Sequence, residues 1–245
     1  MLLFSEFLAE GIEDRGIFKA VFIVGTPGAG KTYTSNKISD GSVSPRIVNT
    51  DAAFEFMAKK HGDDLGTADG QTASWKKHGV SVKTITKNQL AGYLNSMLPL
   101  MVDGTSSNPS NLLQRNGTLQ FFGYDTAMVW VNTDKATALK RIQQRDRKVP
   151  EDFLDRVYAE AEENKEFFRS QFDIFIEIDN NDGMLTDDVI LDVYRAVGKF
   201  YNEDVKNPIG KRHVAKLRQS GDKYLVPSLM DKDEINSRVS IWYKK

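Results

Sequence analysis

The sequence predicts an α/β fold, a parallel sheet of about five strands sandwiched between helices and followed by a C-terminal extension. Three observations predict it. A β-branched and aromatic run, Phe18 to Val24, is bounded by a glycine-rich turn and reads as a fully buried strand. Strand-like and helix-like segments then alternate as far as Tyr201, the pattern of a sheet covered on both faces. The chain has 245 residues, 40% hydrophobic and 27% charged, an ordinary globular mixture with enough length for a sizeable core.

Met1 to Glu13 is expected to form a short amphipathic helix, with Leu3, Phe4, Phe7 and Leu8 at helical spacing before Gly11. After the Phe18 to Val24 strand, Lys31 to Ile38 reads as a helix, Arg46 to Val48 as a short strand and Ala52 to Lys60 as a second helix. His61 to Thr86 carries Gly62, Gly66, Gly70 and Gly79 among polar residues and is expected to be a loop-rich insertion, with Trp75 as a local packing anchor. Lys87 to Met97 is expected to be helical and Leu98 to Val102 a buried strand ending at Asp103-Gly104-Thr105. Asn108 to Phe122 follows as a helix interrupted near Gly117, then a strand at Thr126 to Asn132 and helices at Asp134 to Arg145 and Glu151 to Arg169. Phe172 to Ile178 is the last expected strand and Thr186 to Tyr201 the helix that follows it.

The main domain is expected to span residues 1–205, with residues 206–245 as a basic, semi-independent extension. The formal net charge is -1, which argues against a global attraction to nucleic acid or to an anionic membrane. From Lys206 to Lys245, however, ten Lys and Arg face four Asp and Glu. That surplus suggests a surface for an anionic partner, unless Trp242 and Tyr243 dock the segment onto the domain. The absence of cysteine rules out disulfides and thiolate metal sites. No secretory signal and no stretch of about 20 apolar residues is present, so a cytoplasmic protein without membrane contact is expected.

VFIVGTPGAGKT matches the Walker A pattern G-x-x-x-x-G-K-[ST], with Gly25, Gly30, Lys31 and Thr32 at the required places and a strand directly upstream. Its glycines let successive backbone N–H groups turn inward toward phosphate oxygens, and the following helix offers its positive end there. Gly25, Thr26, Pro27, Gly28, Ala29, Gly30, Lys31, Thr32 and Tyr33 are the expected nucleotide-binding residues, with ATP and Mg²⁺ as the expected ligands. Lys31 would reach the β- and γ-phosphates and Thr32 would offer the metal a hard oxygen. Asp51 and Asp103 follow the second and third expected strands, at the sheet edge where ligands bind in such folds. Asp51 is assigned as a general base, or alternatively as the N-cap of the helix from Ala52. Asp103 is assigned as the metal-side acid, or alternatively as a turn residue before Gly104. Arg141, Arg145 and Arg147 close a helix before a Pro-containing turn, where forked donors could follow a moving phosphoryl group or simply complement the helix end.

In order and spacing, GTPGAGKT, VNTDAAF, MVDGTSSN and RIQQRDRKVPEDFLDRVY resemble the phosphate-loop kinases grouped around phage-type polynucleotide 5′-kinase and the zeta toxins, over about Ile17 to Asn180. The resemblance implies an ATP-dependent transfer to an acceptor hydroxyl, with Asp51 as the activating base and Arg141, Arg145 and Arg147 as lid arginines. It also implies a nucleic-acid end or a sugar nucleotide as acceptor, and a phage-encoded member would act in the host cytoplasm. Where the polynucleotide kinases place a basic side chain shortly after the base, this chain has Ala52, Ala53, Phe54 and Glu55. The rival expectations are an ATPase that drives a partner and a nucleotide-holding structural or assembly protein.

Overall fold

The computed structural model describes residues 15–39, 43–105, 108–144, 151–181, 185–220 and 231–243. The expected helix at Met1 to Glu13 lies outside them. Five parallel strands are present: β1 (Lys19–Gly25), β2 (Arg46–Val48), β3 (Leu100–Thr105), β4 (Asp125–Asn132) and β5 (Phe175–Asp179). Their order across the sheet is β2-β3-β1-β4-β5. β1 therefore lies in the middle, and all seven of its residues are buried. Gly25 stands level with Thr105 on one side and Val131 on the other.

The period-two alternation of β1 sends its side chains into two separate cores. Ala20, Phe22 and Val24 join Val102, Met128 and Trp130 on one face, where α3 (Ala68–Asn95), α4 (Pro109–Phe121) and α6 (Glu151–Gln171) supply Leu90, Leu94, Leu112, Leu119 and Phe168. Val21 and Ile23 join Met101, Val129 and Val131 on the other. That face is covered by Ile38 of α1 (Lys31–Ser39) and by Val193, Val197 and Phe200 of α7 (Asp187–Asn202). The helices after β1 and β3 thus lie on opposite faces, which opens a crevice at the carboxyl edge between these strands.

Three expectations need correction. The stretch expected to be a loop-rich insertion is largely helical, because α2 (Thr50–His61) ends at a left-handed Gly62 and α3 then runs without a break for 28 residues. Gly79 does not break it, since a Cβ there would meet the Trp75 ring at 3.1 Å. The glycine lets the indole lie along its own helix and reach Phe54 edge-on at 5.0 Å. At the α2–α3 junction Asp63 accepts hydrogen bonds from Ser74 and Lys77 that hold its pKa down to about 2. The second correction is that Asp103 and Gly104 belong to β3 itself, in register with Ile23 and Val24. Pairing with a buried strand overrides the turn tendency of Asp-Gly. The expected break near Gly117 is likewise absent from α4.

Residues 208–220 and 232–241 form α8 (Pro208–Ser220) and α9 (Lys232–Ile241). α9 packs along α3, and Leu217, Ile235, Val239 and Trp242 are buried in the same core as Phe22. A polar bracket holds the start of this segment. Lys19 is 1% exposed and its Nζ lies 2.8 Å from Asp125 Oδ2. The same carboxylate accepts from the backbone N–H groups of Lys206 and Asn207, each at 2.7 Å.

Asp125→Ala is expected to destabilise the protein by about 3–5 kcal/mol, because it leaves a buried ammonium without its carboxylate. Urea unfolding measures this, and a loss below about 1 kcal/mol would show that the bracket contributes little.

Candidate nucleotide and acceptor site

The Walker residues form a tight turn between β1 and α1. Thr26, Gly28 and Ala29 are buried, whereas Thr32 and Tyr33 are exposed in the first turn of α1, where the positive helix end lies. Gly28 and Gly30 have φ of 81° and 87°, left-handed conformations that penalise a Cβ. Space is equally restrictive, since a Cβ on Gly30 would run into Asn180 Nδ2. Asn180 cannot easily move aside: it is buried just after β5, and the same nitrogen donates to Ala29 O at 2.6 Å. Thr133 donates to Asn180 O at 3.0 Å and secures it further. Lys31 Nζ folds over the loop and donates to Gly25 O and Thr26 O at 3.0 and 3.1 Å. Pro27 is half-buried, and Lys37 Nζ lies 5.8 Å from the Tyr33 ring.

The two acids sit at the crevice in different surroundings. Asp51 is exposed in the first turn of α2. It is not the cap of that helix, for Asn49 Oδ1 accepts from the N–H groups of Asp51 and Ala52 at 2.8 and 3.1 Å. Asn49 also reaches across to β3, its Nδ2 donating to Asp103 Oδ2 at 2.7 Å. The other oxygen, Asp103 Oδ1, is buried with no hydrogen-bond partner among the described residues. Burial raises the Asp103 pKa; Lys31 opposes that shift and the nearby Asp51 carboxylate adds to it. Lys31 and Asp51 therefore both lie close enough to Asp103 to act on its charge.

Of the three arginines, Arg141 lies in α5 (Lys135–Gln143) and leans toward the loop, its Nη1 3.9 Å from the position of a Cβ on Gly30. Arg145 and Arg147 lie outside the described residues. Tyr158 of α6 stands beside Thr26, and burial raises its pKa.

Asn49, Asn180, Arg115 and Tyr158 receive no role from the sequence, and Tyr243 enters there only with Trp242 as a docking residue. Asn49 and Asn180 each follow a strand directly at its carboxyl end, a position that could have drawn attention to them. Arg115, Tyr158 and Tyr243 carry no such local signal, because tertiary packing brings them in from α4, α6 and the turn after α9.

The AAA_33 family, described as an AAA domain, matches residues 21–165. That is more than half of the chain. The protein is a member of the AAA_33 family. The match starts within β1 and takes in the phosphate loop, both acids and Arg141. This AAA_33 chain is similar in fold to a candidate kinase from Chloroflexus aurantiacus J-10-fl, with a TM-score of 0.51 and 16% identity over 75% of this chain and 98% of that one. A shikimate kinase from Bacteroides thetaiotaomicron aligns at a TM-score of 0.44 and 14% identity, over 74% and 97% of the two chains. The Pnkp1/Rnl/Hen1 RNA repair complex aligns at 0.47 and 18%, over 61% and 46%. No curated protein matches the chain. Among the described residues no helix is long and apolar enough to cross a membrane.

Gly30→Ala is expected to cost about 1–3 kcal/mol through left-handed strain and the clash with Asn180. Combined with Asn180→Ala, which vacates the space, the two changes should cost less than their sum. A double-mutant cycle read by urea unfolding measures the coupling, and strict additivity would remove Asn180 as the constraint on Gly30.

Proposed function

We propose that the protein is an ATP-dependent phosphotransferase that moves the γ-phosphoryl group to an acceptor hydroxyl. The observation that carries this reading is the meeting of an exposed carboxylate, Asp51, with the phosphate-loop lysine and the buried Asp103 at one crevice. A hydrolase needs only to place water. An exposed acid at the start of the helix after β2, with β3 between it and the loop strand and the helix start capped by Asn49, suits the deprotonation of a substrate hydroxyl. In the transfer the acceptor oxygen forms a bond to the γ-phosphorus as the bond to the β–γ bridging oxygen breaks. The hydroxyl proton passes to Asp51 and ADP leaves.

Lys31 would release the Gly25 and Thr26 carbonyls and follow the phosphoryl oxygens, a positive charge placed where negative charge moves. Arg141 would approach from the Gly30 side with a forked donor set. Mg²⁺ fits the residues present: the unpartnered Asp103 Oδ1 and the Thr32 hydroxyl are hard oxygen donors of the kind it prefers. Among the described residues no group of three or more His, Cys, Asp or Glu forms a metal cage, so the remaining ligands would come from phosphate and water. When bound, the ion would neutralise charge between the β- and γ-phosphates. The glycine-rich loop and the helix start behind it provide the anion cradle.

Incubating the full chain with γ-labelled ATP and a panel of nucleic-acid ends, nucleosides, sugar nucleotides and polar hydroxy metabolites tests the reading by label transfer. Lys31→Ala is expected to abolish transfer, and turnover within a few-fold of the parent would overturn the phosphate-loop assignment. Asp51→Asn is expected to keep nucleotide affinity while transfer falls about 100-fold or more, the scale of a lost general base. Loss of nucleotide affinity in step with activity would instead make Asp51 part of the nucleotide site.

A further inference from the structure

On the opposite face of β3 from Asp103, and within electrostatic reach of it, lies a buried positive charge. Arg115 of α4 is largely buried, and burial pushes its pKa down. A guanidinium still does not give up its proton at any ordinary pH. No described carboxylate comes within ion-pairing distance, and its Nε is buried without a hydrogen bond. Its guanidinium carbon lies over the Trp242 ring, 5.4 Å from the centroid, within the range of a cation–π attraction that does not occupy the N–H donors.

The same side chain borders a cavity of about 50 Å³ lined by Phe22, Val102, Gly104, Asn108, Asn111 and Arg115. The polar lining is therefore one fixed cation and two amides, set in apolar walls. Such a lining favours a negative group. About 50 Å³ is a few waters' worth of room, enough for a carboxylate or phosphate group and too little for a sugar ring. An occupant would keep its body outside and insert only its charged end.

Tyr243 ties this cavity to the acceptor side. Its hydroxyl lies against the Thr86 and Thr50 side chains and within electrostatic reach of Arg115, and burial raises its pKa. Thr50 precedes Asp51 directly. The turn after α9 thus places one aromatic side chain under the guanidinium and the next beside the helix that carries the proposed base.

The geometry points to an anion subsite: Arg115, with Asn108 and Asn111, binds a carboxylate or phosphate group of the acceptor, while Trp242 and Tyr243 stand near the guanidinium outside the cavity lining. Its role as an acceptor subsite rests on the phosphotransferase reading; its ability to hold an anion does not. An acceptor anchored here presents its hydroxyl toward Asp51 from a fixed distance, which selects acidic hydroxy compounds over neutral ones.

The test is calorimetric titration of the full chain carrying Lys31→Ala, which weakens the competing phosphate loop, with inorganic phosphate and separately with acetate, and the readout is the part of the binding that depends on Arg115. At least one of the two is expected to bind, and the tighter one names the acceptor as phosphorylated or carboxylated. Adding Arg115→Met is expected to weaken that binding at least tenfold. Arg115→Lys, which keeps the charge and the stem but loses the fork, should weaken it several-fold and guards against a Met variant that fails to fold. No binding of either anion, or equal binding with Arg, Lys and Met at this position, overturns the subsite. The label-transfer screen separates this inference from the reading beneath it. If no acceptor takes label while Arg115-dependent anion binding persists, the phosphotransferase reading fails and the subsite stands. Transfer to a neutral acceptor unaffected by Arg115→Met leaves the enzyme standing and overturns the subsite.

Discussion

Everything in this structure depends on the enclosure of β1. The strand has a parallel neighbour on each edge and a helical layer on each face, so none of its seven residues reaches solvent. A strand in that position can offer chemistry only at its ends. At the carboxyl end Gly25, flanked by Thr105 and Val131, sends the chain into the phosphate loop. At the amino end Lys19 carries its charge inside, and the pairing with Asp125 secures the segment that leads to α8 and α9. Apolar burial along the strand supplies rigidity, and the polar groups at its two ends use that rigidity as a mounting.

How far the sequence disclosed this depends on whether the signal was local. The phosphate loop was legible because its constraint is written in consecutive residues: left-handed glycines, a lysine, and a strand before them. The sheet was legible because its strands are short hydrophobic runs with clear ends. α3 was hidden because glycine ordinarily argues against a helix, while the compensation at Gly79 comes from an indole four residues earlier. Asp103 was found as a residue but placed past the strand, since only the pairing partner Ile23 keeps the ladder going that far. Its partner Asn49 and the loop-holding Asn180 act over separations of 54 and 151 residues, and no window along the chain contains such pairs. Arg115 looks like any charged helix residue until the core is assembled around it.

Two buried polar atoms lack partners on either side of β3, one acidic and one basic: Asp103 Oδ1 and Arg115 Nε. An unmet buried polar group of this sort lowers stability by about 1–3 kcal/mol, more when charged. A chain under pressure for stability alone would replace both with apolar residues. They lie on opposite faces of one strand, and on the readings proposed above one face would take a cation and the other an anion. Loop glycines held in left-handed conformations belong to the same pattern, in which local strain is kept where ligands are expected.

The bracket of Lys19, Asp125, Lys206 and Asn207, in which Lys19 Nζ also donates to Asp204 O, is made of single hydrogen bonds that span up to 185 positions, and it imposes an order of assembly. Contacts this distant in sequence form late, after the loop between them has been closed by other pairings. All side chains that touch the phosphate loop lie before Asn181, whereas Trp242 beside Arg115 lies beyond residue 241. As the polypeptide emerges from the ribosome, the loop residues are therefore all present before α7 has covered one face of β1 and before the last residues of the other core have arrived. A nascent chain thus carries the whole Walker motif before the core that holds it rigid has closed.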